Sequence, residues 1–249
     1  MQAYEGFASI YDIFMGDVDY DGWVEYIEKI WKKYKKEPKL IAELGCGTGN
    51  ITGRLAKKGY DMIGIDNSFD MLDMALERED DRILYLMQDM REFEPGEKVS
   101  AVVSACDSIN YILEPEDLQA VFFCVSESLK EGGIFIFDIN TPYKYEVLMA
   151  DNTIAENRDE GSFIWDNYYD ADEKINEYDL TLFIKEQSED EDDIYKKFEE
   201  THFQRCYEIS ELKELLEQSG LVFDAVYDAY TDDQVKCDSE KVTVIAHKA

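Results

Sequence analysis

The sequence predicts a three-layer α/β fold, in which helices cover both faces of a doubly wound, mostly parallel sheet. Short apolar runs alternate with amphipathic segments between residues 40 and 139, as is typical of parallel strands joined by helices. A glycine turn, G-C-G-T-G, follows the first apolar run, and Asp66 ends the second. Because ligands of open α/β sheets bind beyond the carboxyl ends of the strands, these features predict a binding crevice there.

Composition disfavours several classes of protein. The 249 residues include 57 acidic and 25 basic side chains, and a formal net charge of −32 disfavours direct binding to nucleic acid or to anionic membranes. The five cysteines contain no C-x-x-C pair, which disfavours a disulfide framework and a zinc site and favours the reducing cytoplasm. We expect no bound metal, although a carboxylate site for a hard cation stays open. No apolar run approaches membrane-spanning length.

The first 36 residues predict two helices that precede the sheet. The first contains the phrase F-A-x-x-Y-D and the second is strongly amphipathic. The apolar faces consist of Phe7, Ile10, Tyr11 and Phe14 on the first helix and Trp23, Ile27, Ile30, Trp31 and Tyr34 on the second. Core packing alone would explain both faces.

Residues 40–66 predict a strand, a glycine turn, a helix and a second strand. The first strand is a continuous apolar run of the kind that is buried on both faces of a sheet. The spacing G-x-G-x-G differs from the G-x-G-x-x-G of dinucleotide sites, which disfavours a nicotinamide-dependent oxidoreductase. Glu43, just before the turn, suits a ligand with cationic character. Asp66 can accept hydrogen bonds from both hydroxyls of a ribose.

The next elements continue the alternation and end the parallel sheet. We predict a helix capped by Ser68, strands at 83–87 and 99–105, a helix at 118–129, a turn at 131–133 and a strand at 134–139.

Beyond residue 143 the pattern changes to alternating polar and apolar residues, which predicts antiparallel hairpins. The strands are expected at 163–170, 175–186 and 194–207, with an acidic tip at 188–193. The core then resumes with a helix capped by Ser210 and ending near Gly220, followed by strands at 221–230 and 242–247.

Two phrases, E-L-G-C-G-T-G-N with G-I-D downstream and L-K-E-G-G-I-F-I-F-D-I, resemble class I (Rossmann-like) S-adenosylmethionine-dependent methyltransferases of the small bacterial type. The resemblance implies a seven-stranded sheet in the order 3-2-1-4-5-7-6 with the last strand antiparallel. It also implies a methyltransferase core at 1–143 and 206–249, with an N-terminal helical cap at 1–36 that folds over the cofactor. Residues 144–205 are expected to form an inserted antiparallel β lid.

The resemblance assigns S-adenosyl-L-methionine as the cofactor and implies a set of residues that bind it. In the family, the cap tyrosine lies near the sulfonium and a carboxylate after the third strand accepts the adenine amine. The cofactor residues are expected to be Tyr11, Glu43, Gly45, Cys46, Gly47, Asp66, Asn67, Met71, Gln88, Asp89, Met90 and Cys106.

The acceptor site is expected where the fourth strand ends and where the lid begins and closes. His202 is the candidate general base because imidazole titrates near neutral pH, although a lone histidine is more often structural. Candidate acceptor residues there are Asn110, Tyr111, Tyr168 and Arg205, and the resemblance implies that Tyr4 and Tyr20 of the cap face the same pocket. The N-P-P-Y type signature of amino-group DNA methyltransferases is replaced by C-D-S-I-N-Y, which argues against that class.

The resulting hypothesis is methyl transfer to an oxygen or nitrogen atom of a small-molecule acceptor. Acidity and the lid favour a cationic or amine-bearing acceptor. Three alternatives stay open, namely a nicotinamide-dependent oxidoreductase, which the glycine spacing disfavours, a non-catalytic S-adenosylmethionine-binding regulatory protein, and an RNA or protein methyltransferase that works with a partner. Fold-level analogy cannot choose among acceptors, and the oligomeric state is undetermined.

Overall fold

The computed structural model describes residues 8–186 and 194–249, which form six helices and eleven strands. The helices are α1 (Ala8–Phe14), α2 (Tyr20–Lys33), α3 (Asn50–Lys57), α4 (Phe69–Leu76), α5 (Pro115–Ser128) and α6 (Ile209–Gln218). The strands are β1 (Leu40–Leu44), β2 (Asp61–Asp66), β3 (Ile83–Met87), β4 (Val99–Ser104), β5 (Leu129–Asn140), β6 (Thr153–Asn157), β7 (Gly161–Asp170), β8 (Ile175–Glu186), β9 (Ile194–Arg205), β10 (Leu221–Asp228) and β11 (Lys241–Lys248). Within these ranges, every helix is too short or too polar to cross a membrane.

The larger sheet has seven strands in the order β3-β2-β1-β4-β5-β11-β10. β11 runs antiparallel to both of its neighbours, and the other pairs are parallel. The predicted α/β class and the strand order are therefore confirmed. One apolar core packs α5 and α6 against one face of the sheet, and a second packs α2 and α3 against the other. The sheet is therefore covered on both faces, which explains its continuous apolar strands.

A second, four-stranded antiparallel sheet follows the order β6-β7-β8-β9. β8 and β9 pair along their whole length, from Ile175 opposite Arg205 to Glu186 opposite Ile194. The antiparallel insertion is therefore present, while its predicted acidic tip at 188–193 lies outside the described residues. β6 and a π-helical turn at Lys144–Met149 were not predicted. All but one of the β6 residues are exposed, so the strand has no alternation to detect.

Two local predictions were wrong. α6 begins at Ile209 with Glu208 as its N-cap residue, so Ser210 lies inside the helix instead of capping it. The segment 131–133 does not end an element but lies inside β5, where Gly132 has a φ of +67°. Val99 pairs with Leu129 and Ala101 pairs with Ile134, so β5 bulges between these two pairs.

Candidate functional site

A cavity of about 480 Å³ opens beyond the carboxyl ends of β1, β2, β3 and β4. Its volume lies in the range of about 300–1,000 Å³ that is usual for small-molecule sites. The walls come from the N-terminal helices, the glycine turn after β1, the segments that follow β2 and β3, and the turn after β4. The predicted crevice is therefore a real cavity.

The glycine turn forms the floor of this cavity, and its backbone needs glycine. Gly45, Gly47 and Gly49 all have positive φ values, of 65°, 51° and 77°. A Cβ on Gly45 would lie 2.5 Å from the Ser108 side chain, so the turn packs too closely for any larger residue. A Cβ on Gly47 would meet nothing nearer than the Met71 sulfur at 4.0 Å, because this residue faces the open cavity.

Asp66, at the end of β2, is held against the glycine turn. One carboxylate oxygen accepts a hydrogen bond from the Gly47 backbone N–H at 2.8 Å, and the other accepts one from the Ser68 N–H at 2.9 Å. Burial raises the pKa of Asp66, and these backbone donors oppose that rise. Each oxygen keeps a lone pair for a ligand, so the carboxylate can accept two further hydrogen bonds.

Glu43 lines the same cavity but is 97% buried by the surrounding side chains and accepts a hydrogen bond from the Thr52 hydroxyl. Burial raises the pKa of Glu43 to about 8, against the effect of the Thr52 hydrogen bond and with a smaller contribution from the Asp66 charge. Glu43 is therefore mainly protonated at neutral pH. It offers a ligand a hydrogen-bonding acid instead of the full negative charge that the sequence indicates.

Asp89, after β3, is paired with an arginine that the sequence analysis did not single out. Arg91 contacts both carboxylate oxygens of Asp89, at 3.0 and 2.6 Å, and also contacts Asp117 at 2.8 Å. The Arg91 guanidinium holds the pKa of Asp89 below its ordinary value. Asp89 therefore presents a fixed carboxylate to the cavity. The sequence signal for this pair was the D-M-R spacing, which puts Arg91 two residues after Asp89.

The first helix is fixed to the glycine turn through Asp12. One Asp12 oxygen accepts hydrogen bonds from Thr48 at 2.6 Å and Asn50 at 2.7 Å, and the other pairs with Arg78 at 2.8 Å. These contacts bring the neighbouring Tyr11 into the cavity wall. The cap therefore depends on Thr48, Asn50 and Arg78, whose roles the sequence analysis missed because their partner lies more than 35 residues away.

The turn after β4 is strained and rests on a buried ion cluster. Cys106 and Asp107 are consecutive non-glycine residues with φ values of 58° and 52°. The Asp107 carboxylate accepts hydrogen bonds from Lys241 at 2.7 Å and Gln204 at 2.8 Å, and its N–H donates to Asp138 at 2.8 Å. Lys241 also contacts Asp138 at 3.1 Å. Burial raises the pKa of Asp107, but the charges of Lys241 and Lys144, with the hydrogen bonds from Lys241 and Gln204, together outweigh burial and hold that pKa well below its ordinary value.

All twelve residues that were expected to hold the cofactor line the cavity. They are Tyr11, Glu43, Gly45, Cys46, Gly47, Asp66, Asn67, Met71, Gln88, Asp89, Met90 and Cys106. Of the expected acceptor residues, Tyr20 and Tyr111 also line it. Tyr4 lies outside the described residues.

Four other expected site residues are not part of the cavity wall. Asn110 is fully buried and donates to the Arg205 carbonyl at 2.8 Å. The Arg205 guanidinium lies 3.7 Å from the Glu211 carboxylate. Tyr168 lies on the second sheet with 55% of its surface exposed. His202 is 98% buried behind Tyr111, so direct contact between its imidazole and a ligand in this cavity is not supported.

This chain is similar to known methyltransferases. The model of a methyltransferase domain matches residues 41–133. YqeM of Bacillus subtilis (strain 168), an inferred methyltransferase, is 35% identical over 249 residues, which cover 99% of this chain and 97% of that protein. A dTDP-3-amino-3,4,6-trideoxy-alpha-D-glucopyranose N,N-dimethyltransferase of Streptomyces venezuelae is 31% identical over 150 residues, which cover 59% of this chain and 62% of that enzyme.

A crystal structure of an S-adenosylmethionine-dependent methyltransferase from Clostridium acetobutylicum ATCC 824 superposes with a TM-score of 0.86. The two sequences are 29% identical, and the match covers 100% of both chains. The similarity therefore includes the second sheet as well as the seven-stranded core.

Proposed function

Because this chain belongs to the class I S-adenosylmethionine-dependent methyltransferases, we propose that it transfers the methyl group to an amine nitrogen of a small molecule. S-adenosylmethionine supplies an electrophilic methyl group on its sulfonium, so the protein mainly has to hold the acceptor atom in line with it. The residues of this chain fit that cofactor. Gly47 opens to the cavity, the Asp66 carboxylate keeps acceptor capacity, and the buried Met71 forms an apolar wall beside them.

The charge of the cavity wall is the observation that carries the choice of an amine. Four carboxylic acids besides Glu43 line it, namely Asp66, Asp89, Glu114 and Asp117, together with the phenols of Tyr11, Tyr20 and Tyr111. Among the described residues of the wall, the single cation is Arg91, and it is engaged by two of those carboxylates. Such a surface stabilises an ammonium group and repels phosphates and carboxylates. The similarity to an amino-sugar N,N-dimethyltransferase supports the same class of acceptor.

We further propose that residues 144–205 act as a lid on the acceptor side, with the methyltransferase core at 1–143 and 206–249. Two contacts support this division of the chain. Tyr111 of the cavity wall is hydrogen bonded to Tyr178 of β8, and Gln204 of β9 donates to Asp107 after β4. The second sheet therefore contacts the turn where the acceptor is expected. The five free cysteines support a cytoplasmic location.

Cofactor binding is tested by calorimetric titration with S-adenosylhomocysteine, with NADH in a parallel cell. We expect micromolar binding of the first ligand alone. Asp66→Ala should weaken binding by about 1.5–3 kcal/mol, the usual contribution of hydrogen bonds to a charged acceptor. Asp61→Ala, at the exposed opposite end of β2, is the matched control and should bind as the wild type does. An Asp66→Ala variant that folds and binds normally would remove Asp66 from the site.

The acceptor class is tested by measuring S-adenosylhomocysteine release with a panel of primary and secondary amines, amino sugars among them, and with the matched hydroxyl compounds. We expect turnover of amines and none of the hydroxyl analogues. Methylation of hydroxyls alone would overturn the nitrogen assignment. Tight cofactor binding without turnover of any small molecule would favour the non-catalytic alternative or a polymeric substrate.

A further inference from the structure

Four side chains form a connected chain that leads from the cavity wall into the second sheet. The Tyr111 hydroxyl is hydrogen bonded to the Tyr178 hydroxyl and lies 3.4 Å from His202 Nδ1. On the other side of the imidazole, His202 Nε2 lies 3.1 Å from a Glu200 carboxylate oxygen. Of these four residues, Tyr111 lines the cavity.

The imidazole and the carboxylate at the inner end are withdrawn from water. The side chains of His202 and Glu200 are each 1% exposed, and they share one face of β9 because they are two residues apart. Tyr178 lies opposite His202 in the β8–β9 register, and its ring stacks on the imidazole at 4.8 Å with an interplanar angle of 8°. Burying such a pair is costly unless its geometry is well satisfied, so its presence beside the pocket needs a reason.

We propose that Tyr111 is the catalytic residue that takes a proton from the amine acceptor, and that His202 and Glu200 are positioning residues. His202 accepts the hydroxyl proton that Tyr111 releases, and Glu200 stabilises the resulting imidazolium. The inference rests on the proposed function, since it assigns the proton path for an amine held in the same cavity. It also changes the expected role of His202. The imidazole acts through Tyr111 and does not contact the acceptor.

The proton transfer is balanced within these residues. A protonated amine gives its proton to the Tyr111 oxygen, while the hydroxyl proton of Tyr111 passes to Nδ1 of His202. The amine lone pair becomes available for the methyl group, and the imidazolium that forms lies beside the Glu200 carboxylate. The titratable groups that face His202 are Glu200 on β9, Tyr178 on β8 and Tyr111 on the turn after β4.

The resting arrangement requires one tautomer of His202. Its Nε2 must carry the proton, donated to Glu200, so that Nδ1 can accept from Tyr111. This tautomer can be tested without an acceptor because the chain contains two histidines, His202 and His247. His247 lies on β11, and its Nδ1 contacts Asp224 of the neighbouring edge strand β10. His247 therefore serves as an internal reference.

We would record ¹⁵N spectra of the imidazole nitrogens and assign them with His247→Asn. We expect the proton of His202 on Nε2 and expect Tyr111→Phe to shift the Nδ1 signal of His202 while leaving His247 unchanged. Tyr168→Phe, an exposed tyrosine on the same second sheet, is the matched control and should move neither signal. A proton on Nδ1, or no shift in Tyr111→Phe, would overturn the proposed path whether or not an acceptor is found.

The kinetic test uses an amine that the screen of amines and amino sugars shows to be methylated. Tyr111→Phe and His202→Asn should each lower kcat about 10²-fold at neutral pH, the lower end of the usual effect of general base catalysis, with unchanged affinity for S-adenosylhomocysteine. The rate of both variants should recover as pH rises toward the pKa of the amine, which a structural defect would not produce.

The outcomes separate this inference from the proposed function. Wild-type kcat in Tyr111→Phe, or a loss that does not recover with pH, overturns the role of Tyr111 while the methyltransferase assignment stands. If no amine is methylated although the imidazole signals respond as expected, the amine proposal fails and the catalytic role of Tyr111 fails with it. Loss of S-adenosylhomocysteine binding in the wild type would instead contradict the cofactor site.

Discussion

Glu43 and Asp66 lie at or near the carboxyl ends of the adjacent strands β1 and β2 but have different environments. Asp66 is anchored by two backbone N–H groups and can still bind a ligand, whereas Glu43 is enclosed and hydrogen bonded to Thr52. The difference follows from position, since Asp66 is the last residue of its strand and Glu43 is followed by Leu44 and the glycine turn. The protein thereby obtains one charged and one mainly neutral acid within a single site.

The pH dependence of the free energy of unfolding should show that Glu43 is protonated in the folded protein. Its pKa is raised to about 8 in the folded state, compared with about 4.3 in an unfolded chain. Between these values the folded state holds a proton that the unfolded state has lost, so the wild-type free energy of unfolding falls as pH rises and levels off above about 8. Glu43→Gln has no titrating group at this position, so its free energy of unfolding does not fall in this way. The variant should therefore gain stability relative to the wild type across that interval.

Urea unfolding of both proteins at several pH values measures the difference. Parallel stability curves would show that Glu43 titrates normally in the folded protein.

The open face of Gly47 gives a second residue-scale prediction. Gly47→Ala should weaken S-adenosylhomocysteine binding at least tenfold, about 1.4 kcal/mol, because the new methyl group points into the cavity. Gly59→Ala is the matched control, since Gly59 also has a positive φ, of +101°, and has nothing within 4 Å of an added Cβ. Both variants should lose about 1–2 kcal/mol of stability through backbone strain. Equal affinities in calorimetry would mean that the ligand does not approach Gly47.

At the scale of elements, the buried ion cluster connects strands that are distant in sequence. Lys241 of β11 lies between Asp107, after β4, and Asp138 of β5, and Gln204 of β9 joins the same carboxylate. Tyr230 donates to Asp138 at 2.8 Å and its ring stacks on Trp23 of α2. The cluster therefore fixes the strained turn after β4 to the larger sheet, the second sheet and the N-terminal helices.

Removing the central cation should be costly. Lys241→Met removes the cation shared by the buried Asp138 and the partly buried Asp107, and should destabilise the protein by about 3–5 kcal/mol. The control, Lys236→Met, removes surface ion pairs to Asp228 at 4.0 Å and to Asp233 at 3.6 Å. It should lower the free energy of unfolding by less than about 1 kcal/mol. Chemical unfolding measures both. A small effect of Lys241→Met would mean that water or a rearranged side chain compensates the carboxylates.

The same cluster predicts a direction for acid denaturation. Because Lys241 holds the pKa of Asp107 below its unfolded value, the stabilisation is present above the unfolded pKa and is lost as pH falls toward the folded one. Lys241→Met should therefore unfold at a higher pH than the wild type during acid titration followed by circular dichroism. Coincident acid transitions would contradict this assignment.

At the scale of the whole molecule, the formal net charge of −32 is carried by a fold whose sheet strands and paired helix faces are apolar. The excess carboxylates are therefore concentrated at the surface, where they repel one another and favour expansion of the chain. The described ion pairs neutralise a part of this charge locally, as where Lys58 contacts Glu28 and Arg54 contacts Asp21.

Salt should therefore stabilise this protein. Raising NaCl from about 10 mM to about 0.5 M shortens the Debye length from about 30 Å to a few Å, and we expect the Tm to increase most steeply at the low end of that range. Differential scanning calorimetry with KCl as a second salt distinguishes screening from binding of a specific ion. A Tm that falls with salt would mean that attractive pairs outweigh the general repulsion.

Local sequence patterns were sufficient to predict the individual strands of the larger sheet, the glycine turn and the positions of Glu43 and Asp66, whereas the strand order came from the resemblance to the family. Each depends on neighbours in the chain, because the strand period, the need for positive φ at Gly47 and the position of Asp66 at a strand end are local properties. Resemblance to the family then extended these patterns to twelve cavity residues, and the structure places all of them in the cavity wall.

Long-range packing decided the rest. Tyr111 and His202 are 91 residues apart, and Lys241 and Asp107 are 134 residues apart, so no local spacing indicates either contact. His202 has the chemistry of a base in the sequence, but pairing of β8 with β9 places it behind Tyr111 and out of the cavity wall. The sequence by itself determined which groups are available and where the crevice opens, whereas the tertiary structure decided which of them can meet a ligand, because burial and pairing depend on strands that are distant in the chain.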